Sequence, residues 1–166
     1  SAISMALMQN KEPVLGLIYD PYRDEMFTAL KGKGAYLNGT QIHASEMPFE
    51  RAMVSVGTSP YYAELADRTM AIALDFLKQG GDLRRTGSAA LDLCDIACGR
   101  LDVFYELKLS PWDFCAGALI ILEAGGRFEL PVNGKAGVRS YGVPGFMLAA
   151  NQKCFDKALE IINAHK

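Results

Sequence analysis

The stretch Ser110-Pro111-Trp112-Asp113 opens a run, from Phe114 to Leu122, built almost wholly of apolar or very small side chains. Serine at the N-cap, proline at N1 and an acid at N3 specify a helix start whose carboxylate the helix dipole favours. A helix that is apolar all round is buried. Its first turn therefore lies at the rim or inside of the protein, where an ionised carboxylate needs a cation or several donors. Asp113 carries two readings, a capping acid first and a metal ligand second. Two further segments bear chemistry. Thr86-Gly87-Ser88-Ala89-Ala90 starts a helix with small residues, leaving its free N–H groups open to an anion or a hydroxyl; taken alone it is an ordinary serine N-cap. Glu106 is expected to end a strand over 103–106, and α/β sheets bind ligands at the carboxyl ends of their parallel strands; the plain alternative is a solvated strand-end glutamate. The three signals fall in consecutive βα connections, which one sheet edge can gather.

The other candidates carry less. His43 and His165 stand alone and read as surface residues. Cys94 and Cys98 share a helical face at i, i+4, but without further soft ligands core packing takes precedence over zinc. The Lys31-Gly32-Lys33-Gly34 turn could attract phosphate; no helix follows it, as a phosphate loop requires, so it reads as a solvated hairpin.

The elements that must position these residues fall into two kinds. Up to residue 43 short strand-like runs alternate with turn chemistry: 2–8, 14–19, 25–30, 35–37 and 40–43, with Asn38-Gly39 the strongest hairpin signal. This is an antiparallel meander. From residue 53 strands alternate with helices. A strand over 53–56 precedes a helix with Ser59 as N-cap and Pro60 at N1, its inward positions Ala66, Met70, Ala73, Leu74 and Leu77, ended by Gly80-Gly81. A strand over 83–85 leads to a helix over 88–98 with Leu91, Cys94 and Cys98 on one side. After the Trp112 helix come a strand over 127–130, a loop over 134–145, a buried strand over 146–149, and a final helix capped by Asn151 with Phe155, Leu159 and Ile162 inward. Such alternation predicts a largely parallel sheet covered on both faces. The fold class is mixed α/β, a meander leading into an α/β layer.

With 166 residues the chain can bury a substantial core as one compact unit. Half of it is hydrophobic, 22% is charged and the net charge is −2, a globular composition without the basic excess of a nucleic-acid surface. No apolar run approaches the roughly 18 residues needed to span a membrane. Four cysteines without a C-x-x-C pair predict a reducing, cytoplasmic setting without disulfides. No signal peptide is visible. The opening SAISMALM enters directly on a strand-like run, which suggests a cut end.

The segment WDFCAGALIILEAGG, residues 112–126, closely resembles the C-terminal signature of the inositol monophosphatase family. GKGAYLNG (32–39), TGSAALDLC (86–94) and GRLDVFYE (99–106) resemble other family segments in the correct order. The resemblance runs through essentially the whole chain and implies the layered αβαβα sugar-phosphatase fold in part, with 1–52 the remainder of an antiparallel-sheet layer and 53–166 the C-terminal α/β layer. It implies that Asp113 is a Mg²⁺ ligand, that Gly87, Ser88 and Ala89 line the substrate, and that Glu106 accepts hydrogen bonds from ring hydroxyls. On a looser alignment Thr58 is a further substrate contact. The intact family site holds two or three Mg²⁺ ions, with other ligands from an upstream glutamate and an Asp-Pro-Ile/Leu-Asp-Gly-Thr/Ser motif.

Neither of those is present. Asp20-Pro21-Tyr22-Arg23-Asp24 has arginine where the second aspartate belongs and reads as a hairpin turn. A multi-metal site needs several carboxylates to gather its ions, and one aspartate cannot assemble it. The resemblance therefore implies a parent Mg²⁺-dependent phosphomonoesterase for inositol monophosphate or a related sugar phosphate, and predicts that the isolated chain is inactive. A nucleotide 3′-phosphatase or fructose-bisphosphatase-like member is the alternative within the enzyme class, and a non-catalytic interaction module the alternative outside it. An uncovered sheet face near residues 2–8 is expected to favour self-association, with a homodimer as the simplest form.

Overall fold

The computed structural model describes residues 1–130, 141–142 and 145–165. Two five-stranded sheets are present among them. The first is an antiparallel meander of β1 (Ile3–Gln9), β2 (Glu12–Asp20), β3 (Glu25–Leu30), β4 (Ala35–Leu37) and β5 (Thr40–Ile42), in that spatial order. The turn chemistry explains it: Asn10, Lys11, Asp24, Asn38 and Gly39 all have positive φ at the strand connections. In the second sheet β7 (Asp82–Arg84), β6 (Met53–Val56) and β8 (Val103–Leu109) run parallel, and β10 (Gly145–Ala150) and β9 (Arg127–Glu129) continue it antiparallel. The parallel character is thus confined to the half that carries the candidate residues. The expected loop over 134–145 lies almost entirely outside the described residues.

Helices α2 (Ala89–Ala97) and α3 (Pro111–Glu123) fill the space between the sheets, while α1 (Ala66–Lys78) and α4 (Phe155–Asn163) cover the far face of the second sheet. Two cores result, and strand alternation sorts residues between them. Along β8, Val103, Tyr105 and Leu107 face α1 and α4, whereas Phe104 faces α2 and α3. Glu106, at the same parity as Phe104, is thereby aimed at the inter-sheet layer. The all-apolar character of α3 has the predicted cause: residues 114–121 are all buried. A Cβ on Gly16 would stand 2.7 Å from the Ala116 carbonyl oxygen, and one on Gly117 would stand 2.6 Å from Leu93 Cδ1. Glycine lets β2 and α2 close on α3 from two sides.

Several expectations need correction. Ser59 does not cap a helix; α1 begins at Ala66, after a 3-10 turn over Ala63–Leu65. The face of α1 turned to the core carries Thr69, Ile72, Ala73 and Phe76, while Met70, Leu74 and Leu77 are exposed. The sequence offers two apolar stripes on this helix, and packing against β6, β7 and α4 buries the one with Ile72, Ala73 and Phe76. Helix α2 buries Asp92, Leu93, Cys94, Asp95, Ile96 and Ala97, because it is covered from both sheets and not from one side. Strand β8 runs to Leu109, so Glu106 lies within it and not at its end. His165 is held by Asp75 at 2.8 Å, tying the end of α4 to α1, while His43 is exposed. The Gly32 and Gly34 N–H groups donate to the Glu123 carboxylate, so the glycine turn is filled by an acid from the end of α3.

The cysteines are free, and burial raises each thiol above its ordinary pKa. Asn151 is not the cap of α4, whose N-cap is Cys154; its side chain accepts the Cys154 N–H in the turn before the helix, and its amide donates to Ser45, the Met47 carbonyl and Asp102. The outer face of the first sheet is apolar and uncovered by any described helix: Ile3, Met5, Leu7, Leu15 and Leu30 are all exposed. No helix among the described residues is long and apolar enough to cross a membrane.

Candidate active site

A cavity of about 530 Å³ opens between the edge of the first sheet and the parallel half of the second. Thr58, Gly87, Ser88, Ala89, Glu106 and Asp113 all line it. They arrive from four places: the segment after β6, the turn into α2, the middle of β8 and the first turn of α3. The extra length of β8 does not remove Glu106 from the site, since alternation still turns it inward.

The connection after β6 is built around Glu106. The Gly57 N–H donates to the Tyr105 carbonyl at 2.9 Å, which keeps the chain alongside β8. A Cβ at Gly57 would lie 2.3 Å from Glu106 Oε2, so only glycine lets that carboxyl fold against the loop. Ser59 donates its N–H to Oε1 at 2.9 Å, and its hydroxyl stands 3.2 Å from the same oxygen. The hydroxyl also accepts the Lys108 N–H at 3.2 Å. These bonds hold Ser59 buried at a φ of 43°, in the left-handed region, which is why it cannot serve as a helix cap. Burial pushes the Glu106 carboxyl above its ordinary pKa; the Ser59 donors lower it, the Asp113 charge raises it, and the Arg85 guanidinium lowers it.

Asp113 occupies N3 of α3 and accepts the Ser110 N–H through Oδ2 at 3.2 Å, so the capping reading holds. Ser88 stands at the N-cap of α2, but its hydroxyl makes no capping bond. The turn before it is fixed through Thr86, which donates to Asp92 Oδ1 at 2.8 Å and accepts the Ser88 N–H at 3.3 Å. Ser55 of β6 donates to the same Asp92 oxygen at 2.9 Å. Burial raises the Asp92 carboxyl to about 6, and the neighbouring charges of Asp95 and Glu106 add to this against the two hydroxyl donors.

Sequence reasoning missed Asp92, Arg85, and Ala2 and Ser4 of the β1 edge, all of which line the cavity. The signal for Asp92 was present: an acid inside a helix that is apolar apart from it and Asp95, the argument applied to Asp113. Arg85 directly precedes Thr86-Gly87. Nothing marked Ala2 and Ser4, whose place depends on the packing of distant elements.

The carboxylates present do not make a multi-ion metal cage. Among the described residues no group of three or more His, Cys, Asp or Glu side chains could hold an ion. Glu106 and Asp92 are engaged by internal donors. Asp113 can contribute one carboxylate toward an ion whose remaining ligands are water and phosphate oxygens, a mode suited to Mg²⁺.

Known proteins share both the sequence and the fold. The chain is 40% identical over 165 residues to the putative Nus factor SuhB of Neisseria meningitidis serogroup B, covering 99% of this chain and 62% of that protein. It is 40% identical over 162 residues to inositol monophosphatase 2 of Solanum lycopersicum, covering 90% of this chain and 61% of that protein. The chain thus spans less than two thirds of the length of these relatives. Among solved structures, the inositol monophosphatase of Anabaena (Nostoc) sp. PCC 7120 matches with a TM-score of 0.87 at 30% identity, over 99% of this chain and 64% of that one. The extragenic suppressor protein suhB of Bartonella henselae matches with a TM-score of 0.85 at 31% identity, over 97% and 61%. The family description "Inositol monophosphatase family" matches residues 1–165, so that the motifs, the two-sheet fold and the sequence together place the chain in the inositol monophosphatase family.

Proposed function

We propose that the cavity binds the sugar side of a phosphate monoester, inositol monophosphate or a related sugar phosphate, and that the whole protein is a Mg²⁺-dependent phosphomonoesterase. One observation supports this reading: five residues singled out by their chemistry, Gly87, Ser88, Ala89, Glu106 and Asp113, line a single cavity, together with Thr58, which the family resemblance alone implied. Glu106 offers acceptor oxygens already oriented by Ser59. The small side chains of Gly87, Ser88 and Ala89 leave room for a ring to approach the start of α2. Asp113 is the residue that would hold Mg²⁺, which in such reactions activates water and steadies the leaving oxygen. The remaining carboxylates of a multi-ion site are not supplied by the described residues, so the isolated chain binds ligand without turning it over.

Titration of the 166-residue chain with inositol 1-phosphate, followed by amide resonances, tests the binding reading. Shifts should concentrate at Thr58, at residues 87–89 and around Glu106; shifts confined to other faces would refute it. Phosphate release measured with Mg²⁺ tests the inactivity. Turnover at an ordinary rate of about 10 s⁻¹, abolished by Asp113→Asn, would show that the chain is a complete enzyme.

A second reading is favoured by the relatives whose names are Nus factor SuhB, together with the exposed apolar face of the first sheet. On it the chain is an interaction module. Inositol 1-phosphate would then leave the resonances of the cavity unchanged.

A further inference from the structure

Among the described residues that line the cavity, Arg85 is the one lysine, arginine or histidine; the other charged side chains there are Asp92, Glu106 and Asp113. Arg23, Arg84, Arg100 and Arg127 each pair with a carboxylate. Arg85 is held differently. Its Nε and Nη2 both reach the Thr58 hydroxyl, at 3.3 and 3.2 Å, which lays the side chain across the gap between the segment after β6 and the turn into α2. A hydroxyl orients a guanidinium without neutralising it. Gly87 keeps the other side open: even a Cβ there would stand 3.8 Å from Nη1. Glu106 feels the Arg85 charge, yet its bonds go to Ser59. The result is a positioned fork whose hydrogen bonds go to a hydroxyl and not to a carboxylate, the geometry that takes phosphate or carboxylate in pairs of hydrogen bonds.

Resting on the proposed reading, in which the reacting phosphate belongs by Asp113, the geometry points to Arg85 as a specificity residue that recognises a second anionic group on the substrate. Among the sugar phosphates of that reading, the favoured class carries a further phosphate or carboxylate. At about 530 Å³ the cavity lies within the usual range for small-molecule sites, roughly 300–1,000 Å³. Arg85 itself is exposed at its mouth, where a substituent of the ring can meet it without losing all of its hydration.

The test compares inositol 1-phosphate with inositol 1,4-bisphosphate, and glucose 6-phosphate with 6-phosphogluconate, by calorimetric titration of the 166-residue chain at low salt. A charge-assisted pair of bonds predicts tighter binding of at least one doubly anionic ligand by roughly tenfold. The pair that shows the gain identifies the anion as phosphate or carboxylate. Arg85→Gln should bring that ratio to near one while changing the affinity of ligands with a single anionic group less than about threefold. Arg85→Lys should restore part of it, and Arg84→Gln, on a neighbouring arginine already paired with Asp82, should leave it intact. Ratios near one in the unmodified chain, or a ratio that survives Arg85→Gln, overturn the assignment while the cavity reading stands. If ligands with one anionic group and ligands with two both fail to bind, the cavity reading falls and this inference with it.

Discussion

Replacing Asp92 with asparagine should change how stability depends on pH. The residue is 2% exposed, and burial sets its pKa at about 6 against 3.8 for the free side chain. The unfolded chain therefore releases this proton near pH 3.8, while the folded chain keeps it until about pH 6. Below pH 3.8 both states hold the proton and burial carries no ionic penalty. As the pH rises through the window the folded state binds more protons than the unfolded one, so stability falls, and it levels off above about 6. Two pKa units at about 1.4 kcal/mol each give a loss of about 3 kcal/mol. An asparagine at this position would not titrate, and its amide oxygen could still accept from Ser55 and Thr86.

Urea unfolding of both proteins from about pH 3.5 to about pH 7.5 measures the effect. The difference in unfolding free energy should swing in favour of the variant by about 3 kcal/mol across that range. For a chain of this size that corresponds to roughly 6–12 °C in Tm. Parallel stability curves for the two proteins would refute the reasoning, because a carboxyl with an unshifted pKa contributes no difference in this window.

Glu106→Gln should weaken inositol 1-phosphate binding about tenfold by calorimetry, through loss of a charged acceptor. Gly57→Ala should do more damage, since its methyl group displaces the Glu106 carboxyl; a destabilisation of about 2 kcal/mol in urea titration is expected alongside lost binding. Gly16→Ala should destabilise more than Gly117→Ala when compared by Tm, because the first meets the backbone carbonyl of Ala116 and the second the movable side chain of Leu93. Lysine in place of both Met5 and Leu7, on the exposed sheet face, should abolish concentration-dependent association in sedimentation while moving Tm by only a few degrees.

The order and kind of elements were legible because turn chemistry and apolar periodicity are local signals. Asn38-Gly39 marked one hairpin, Pro111 and Asp113 marked the start of α3, and both are where the residues require. The start of α1 was not legible. Ser59-Pro60 satisfies the local rule for a helix start, yet Ser59 spends its donors on Glu106, a residue 47 positions away. That non-local bond overrides local propensity at Ser59, while the buried stripe of α1 is set by its packing on the second sheet. The same limit hid Arg85: nothing in its neighbourhood along the chain shows that Thr58 lies opposite. Cavity-lining residues that double as local structure signals, such as Asp113 and Ser88, could be found; those defined only by what faces them could not.

The cavity itself follows from side-chain size on an edge strand. Along β1, Ile3, Met5 and Leu7 point outward, while Ala2, Ser4 and Ala6 share the inward side with Ile18 and Gly16, their partners in the register being Ser4 with Ile18 and Ala6 with Gly16. Because Gly16 brings β2 into contact with the backbone of α3 at Ala116, residues of ordinary size at the inward positions of β1 would fill the trough beside it. Small ones leave it open. Ala2 and Ser4 border the cavity of Glu106 and Asp113, and Ser4, Ala6 and Met8 border a neighbouring apolar one with Pro111, Trp112 and Cys115. Trp112 stands between them, 74% exposed, at the first turn of the helix that carries Asp113. Filling the inward side should therefore close the site without touching any charged residue. Ser4→Leu is expected to lower inositol 1-phosphate affinity at least about tenfold in the same calorimetric assay by occluding the mouth, with Tm unchanged or raised by the added apolar contact. Unaltered affinity would mean that β1 is a bystander and that the ligand enters elsewhere.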